Sequence, residues 1–126
     1  MIQIGFSELD AKDEGVSFID RNMKIMFWNK AAENITGYKR SECCGSRCSE
    51  TPLCHSDEFG NRLCYMNCPL TKTLKDGLIR ETSAYIKNKS GEFVKVDLRV
   101  APVFESTGAV AGAYETFNLR SDSNSL

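Results

Sequence analysis

A chain of 126 residues can bury one core without cross-links, and its apolar and charged fractions are those of an ordinary globular domain. A net charge of −1, with no stripe of Lys and Arg, speaks against nucleic acid as a partner. No apolar run reaches membrane-spanning length and Met1-Ile2-Gln3-Ile4-Gly5 lacks a signal-peptide pattern, so a cytoplasmic protein with no membrane partner and with reduced thiols is expected.

Ile2, Phe6 and Leu9 fall at helical spacing, which predicts an amphipathic N-terminal cap over residues 1–13 that covers a sheet or a second copy of the chain. Asp13-Glu14-Gly15 breaks it. Val16-Ser17-Phe18-Ile19-Asp20 and Lys24-Ile25-Met26-Phe27-Trp28 read as two strands joined by a turn at Arg21-Asn22-Met23. Asn29 stands at an N-cap position before a short helix over residues 30–36, which Gly37 ends. A second helical turn covers residues 40–43 and stops near Gly45.

Pro69 opens the next helix, because its missing amide costs nothing at the first helical position; Leu70 and Leu74 give it an apolar side and Gly77 terminates it. The remainder reads as β. A strand over residues 80–88 turns at Lys89-Ser90-Gly91. The strand Phe93–Phe104 alternates Val94, Val96, Leu98 and Val100 with Lys95, Asp97 and Arg99. After a turn at Glu105-Ser106-Thr107-Gly108, the last strand covers 109–119. Trp28 is read as core or edge-strand packing, and Glu115 as an outward-facing strand carboxylate, with a ligand-contacting group as the other reading. The polar end, residues 120–126, reads as a tail or the start of a linker. Strands, short helices, one longer helix and three further strands in series predict an α+β fold with helices on one face of an antiparallel sheet.

Five of the six cysteines lie between Cys44 and Cys68, in a segment that also holds the only histidine. A connection this long in a compact domain is expected to be functional, metal-braced or partly helical. Proline at position 69 pushes Cys68 out of helical dihedrals, so Cys68 is expected as the helix cap, with its thiolate favoured by backbone amides and the helix dipole. Cys48, Cys64, Cys68 and His55 would suit a tetrahedral structural zinc ion. Four thiolates, with Cys54 as the alternate ligand in place of His55, would suit zinc or an iron–sulfur cluster. The spacings are not the tight pairs of common zinc fingers or ferredoxins. A reversible thiol–disulfide switch and reduced, structural cysteines therefore stay open beside the metal reading. The adjacent pair Cys43-Cys44 at a helix end reads as structural. Cys48 or Cys68 with His55 could pair a nucleophile with a base, but no orienting third residue accompanies them, so no enzyme is expected.

The run Gly15-Val16-Ser17-Phe18-Ile19-Asp20, then Ile25-Met26-Phe27-Trp28-Asn29-Lys30-Ala31-Ala32-Glu33 and Thr36-Gly37-Tyr38, resembles the opening half of a PAS sensory domain. Lys89-Ser90-Gly91-Glu92, Ala101-Pro102-Val103, Gly108 and Gly112-Ala113-Tyr114-Glu115-Thr116-Phe117 resemble its closing half. The resemblance covers residues 14–119. The middle is similar to a cysteine-bearing subset of prokaryotic PAS domains, in Gly45-Ser46-Arg47-Cys48, His55-Ser56-Asp57, Gly60, Leu63-Cys64 and Cys68-Pro69-Leu70; Cys54 is outside that pattern. Asn118-Leu119-Arg120 stands where the family usually carries an Asp-Ile-Thr-like tripeptide that couples the sheet to an output helix.

The resemblance implies a five-stranded antiparallel sheet with short helices on one face, able to enclose a small-molecule ligand. It implies a non-catalytic signal-transduction module serving a histidine kinase, a diguanylate cyclase or a transcriptional activator, in a two-component system or its like, and a homodimer is compatible with it. Cys48 falls where the light-oxygen-voltage branch keeps its flavin-bonding cysteine, but Ser49-Glu50-Thr51-Pro52 follows it and Phe93–Phe104 has no asparagine, so flavin is not expected. Haem is not expected either, because no histidine accompanies the helix between Pro69 and Gly77. The other reading is a protein-interaction or dimerisation module whose cysteine loop is a metal-braced scaffold.

Overall fold

The computed structural model describes residues 13–47, 56 and 68–120. The predicted amphipathic segment at residues 2–9 lies outside them. Strands β1 (Gly15–Asp20) and β2 (Ile25–Trp28) form the first hairpin. Asp20 shapes its turn: Oδ1 accepts the amides of Asn22 at 2.8 Å and Lys24 at 3.0 Å, and Met23 takes the left-handed conformation with φ of 65°. A register shift between Phe18 and Ile19 leaves Met26 without a cross-strand partner on β1.

Helix α1 (Lys30–Thr36) starts at Asn29 and ends at Gly37, whose φ of 80° suits a residue without a Cβ. Helix α2 (Arg40–Cys43) follows directly, and α3 (Pro69–Asp76) begins with its proline and closes at Gly77 with φ of 72°. Strands β3 (Arg80–Lys87), β4 (Phe93–Phe104) and β5 (Val110–Leu119) complete the chain. All pairings are antiparallel and the strand order is β2-β1-β5-β4-β3, so the first and last strands lie side by side at the centre.

The predicted α+β architecture is therefore present. Helix α1 packs on β1 and β5, α3 packs on β4 and β5, and α2 lies beside β2. The main core joins Ala32, Cys43 and Leu70 from the helices to Ile19, Trp28, Ile86, Val96, Leu98, Val100, Ala113 and Phe117 from the sheet. Alternation on β4 follows the sequence reading: Val96, Leu98 and Val100 are buried, whereas Asp97 and Arg99 are exposed. On the opposite face Val16 and Phe27 form a smaller cluster with Phe18 and Tyr114, whose rings stand 5.2 Å apart.

Glycine is required at two points of this sheet. A Cβ on Gly112 would collide with the Ile19 carbonyl oxygen, and one on Gly15 would come within 2.6 Å of the Phe117 ring. Those absences let β1 and β5 approach closely and let Phe117 lie across β1.

Candidate functional site

The cysteine segment is held to the scaffold at three described points. At its start, Gly45 donates to the Ile25 carbonyl at 2.7 Å, Ile25 donates to the Ser46 carbonyl at 2.9 Å, and Arg47 bridges Lys24. In its middle, Ser56 and Tyr85 exchange backbone hydrogen bonds of 2.8 and 2.9 Å. At its end, Cys68 precedes α3. The first anchor is on β2 and the second on β3, the two opposite edges of the sheet. Both edge strands thus have part of their open hydrogen-bonding rim occupied.

Of the predicted ligand set, Cys48, His55 and Cys64 lie outside the described residues, as does the alternate, Cys54. Cys68 takes the expected N-cap position with extended backbone, φ −70° and ψ 119°. Its side chain makes no capping hydrogen bond and packs, 7% exposed, in the main core. Cys43 is also in that core, and burial pushes its thiol up to about 11, with Cys44 and Glu42 adding to the effect. Burial raises Cys44 as well, against the pull of Arg40. The adjacent pair is thus built for packing and kept protonated, in line with its structural reading. Among the described residues no group of three or more ligating side chains converges.

The inner face of the sheet carries a second polar feature. Ser17 on β1 stands opposite Glu115 on β5 and Trp28 on β2, and all three side chains are fully buried. Glu115 therefore does not face outward as the sequence reading had it. Ala113 and Phe117, two residues to either side, point into the core, and the strand's period of two carries Glu115 with them. The alternation of Ala113, Glu115 and Phe117 against Tyr114, Thr116 and Asn118 marks this inward side in the sequence, and it outweighs the polar character of the glutamate.

The exit of β5 is tied down on both sides. Asn118 Nδ2 donates to Glu14 Oε2 at 3.4 Å, the Arg120 amide donates to the Lys95 carbonyl at 2.9 Å, and the Arg120 guanidinium pairs with Asp97 at 3.4 Å. Glu14, Asp97, Asn118 and Arg120 line an open groove of about 580 Å³ together with Glu81 and Arg99.

The family model described as the PAS fold matches residues 6–117. The chain belongs to the PAS family. Solved structures share this architecture. The PAS domain of a protein from Colwellia psychrerythraea superimposes with a TM-score of 0.76 at 14% identity, covering 92% of this chain and 93% of that one. The PAS domain of nitrogen regulation protein NR(II) from Vibrio parahaemolyticus gives 0.70 at 13% identity, covering 94% and 100%. The Vibrio cholerae VqmA dimer, of the LuxR-type receptors, gives 0.72 at 16% identity, covering 93% and 52%. No curated protein matches the sequence.

Two features of this PAS domain were not legible as sites in the sequence. One is the Ser17–Glu115 pair, whose members are nearly a hundred positions apart. The other is Ser56, a polar loop residue that becomes a β-bridge partner. Among the described residues, no helix is long and apolar enough to cross a membrane.

Proposed function

We propose that this PAS domain is a non-catalytic sensory module, cytoplasmic, in which a small molecule or the redox or metal state of the cysteine segment alters the sheet and regulates an attached or bound effector. The layout of β5 carries the reading. Glu115 is buried on its inner side, and the strand leaves the sheet after Leu119, where Asn118 and Arg120 are tethered to Glu14 and Asp97. A change at the inner face is transmitted along one short strand to the point where an effector would be joined. A nitrogen regulation protein and a DNA-binding receptor among the structures of similar fold support a regulatory effector; a histidine kinase, a transcriptional activator and a diguanylate cyclase are the candidate classes.

For the cysteine segment we propose zinc on Cys48, His55, Cys64 and Cys68, or zinc or an iron–sulfur cluster on four thiolates with Cys54 in place of His55. The buried position of Cys68 at the start of α3 suits a ligand enclosed by protein, since a closed structural site excludes water. The second reading, an interaction or dimerisation module with a metal-braced loop, is supported by Met26, Phe93 and Leu119, each more than half exposed on a strand.

Native mass spectrometry, with elemental and absorbance analysis of anaerobically purified protein, tests the proposal. A stoichiometric small molecule, or a metal whose removal changes the proteolytic protection of residues 115–120, is the expected result. A protein with neither, whose β5 exit is equally protected in oxidising and reducing conditions, would remove the sensory reading and leave the interaction module.

A further inference from the structure

We propose that the outer face of β3 and β4, turned away from the helices, pairs with the same face of a second copy of the chain about a two-fold axis that lies along the strands. The inference rests on the dimerisation reading above, for which it names the surface and the occupant, and it needs neither a ligand nor a metal.

The register of the two strands carries it. Ala84, Ile86, Val96 and Leu98 point into the core, so the alternate residues face outward, and each outward residue of β3 stands opposite one of β4. The pairs so formed are Glu81 with Arg99, Ser83 with Asp97, Tyr85 with Lys95 and Lys87 with Phe93. Every pair is complementary: a carboxylate with a guanidinium, a hydroxyl with a carboxylate, and twice a ring with an ammonium. Ser83, Tyr85 and Lys95 are half-buried and the others are exposed. Glu81 and Arg99 take no hydrogen bond or ion pair among the described residues.

A two-fold axis in the plane of contact, running between β3 and β4, exchanges the two strands and keeps each row level. Glu81 then faces the second copy's Arg99, and Arg99 faces its Glu81; the other rows follow in the same way. Because each row is complementary, the face as a whole is complementary to itself, as an isologous contact requires. Lys87 and Lys95 stand 5.8 and 5.9 Å from the Phe93 and Tyr85 ring centroids of their own chain. A ring is negative on both faces, so each can also take the second copy's lysine. The crossing of about 30° usual for stacked sheets moves the end rows by about one strand spacing, which the long side chains of Arg99 and Lys87 span. Two strands offer less than the roughly 800 Å² per partner of a standard interface, so the dimer is weak and sensitive to salt.

Sedimentation equilibrium of the chain up to roughly millimolar concentration measures the association. The wild-type protein is expected to dimerise reversibly, and less so as salt is raised. Arg99→Glu and Glu81→Arg should each weaken self-association roughly tenfold or more, because like charges then face one another twice across the axis. Each substitution also sets like charges opposite within one chain, so the deciding sample is an equimolar mixture of the two variants. The mixture should recover association, since each variant then meets its complement at both positions. A wild-type monomer, a mixture no better than either variant alone, or variants that associate as the wild type does would overturn the proposal. The last of these moves the contact to another surface and keeps the dimerisation reading; the first, in protein that carries a small molecule, keeps the sensory one. Should either variant not fold, amide shifts of the wild-type protein on dilution decide: they are expected on β3 and β4, and shifts confined to other strands overturn this face.

Discussion

Asn29 and Val16 hold one another twice: the Asn29 amide donates to the Val16 carbonyl at 3.0 Å, and the Val16 amide donates back to Asn29 Oδ1 at 2.8 Å. The same Oδ1 accepts the Ala32 amide at 2.9 Å, and Nδ2 donates to the Glu14 carbonyl at 3.0 Å. One buried amide side chain therefore caps α1 and fastens it to the start of β1. Asn29→Ala is expected to destabilise the domain by about 2–4 kcal/mol, because a cap is lost and buried backbone groups are left unpaired. Denaturant titration of the two proteins measures this; a change no larger than a surface substitution gives would contradict it.

The close approach of β1 and β5 separates two glycines. On Gly112 an added Cβ meets the backbone oxygen of Ile19, which cannot move without breaking the pairing of the strands; on Gly15 it meets the Phe117 ring, which can shift. Gly112→Ala should therefore cost more than Gly15→Ala, with overpacking typically worth about 1–3 kcal/mol. The reverse order in thermal unfolding would show that the ring is the more rigid neighbour.

Asp76 and Arg80 latch the end of α3 to the start of β3. Arg80 binds both carboxylate oxygens, at 2.8 and 2.6 Å, and its Nη1 also donates to Thr73 Oγ1 at 3.2 Å. The Arg80 hydrogen bonds, followed by the Leu78 amide, bring the Asp76 carboxyl from an ordinary 3.8 down to about 2. A depressed carboxyl contributes stability that is complete above the unfolded value and is lost as pH falls through the folded one. Wild-type stability should therefore drop between about pH 4 and pH 2 more steeply than that of Arg80→Gln. Parallel pH profiles for the two proteins would rule the latch out as a source of acid sensitivity.

Cys43 gives the opposite dependence. Its thiol, raised from 9.0 to about 11 chiefly by burial, holds its proton more tightly when folded than when unfolded. Its contribution is complete below the unfolded value and is lost as pH rises from about 9 towards 11. In native protein near neutral pH, Cys43 should resist alkylation, because the thiolate is the reactive form. Peptide mapping after a timed exposure to iodoacetamide tests this; modification of Cys43 as fast as in denatured protein would contradict it.

The caps and periods were legible in the sequence because they depend on neighbours a few residues away. Asn29, Gly37, Pro69 and Gly77 bound their helices through backbone geometry and side-chain reach within one turn. The alternation of Val96, Leu98 and Val100 with Asp97 and Arg99 marks which side of β4 is wet. The α+β class follows from those elements in series.

Glu115, Ser17 and Cys68 depended on the tertiary structure. Strand β5 inserts between β1 and β4, which gives Glu115 a neighbour on each side and removes it from water despite its charge. The same insertion places Ser17 opposite it. The thiol of Cys68 packs in the core and makes no bond to the amides it was expected to cap, since neighbouring core side chains determine where it can fit. The clustering of cysteines and histidine in one segment was plain in the sequence alone. That its start is pinned on β2 and its middle on β3, at opposite edges of one sheet, was decided by hydrogen bonds between residues far apart in the chain, which no local pattern encodes.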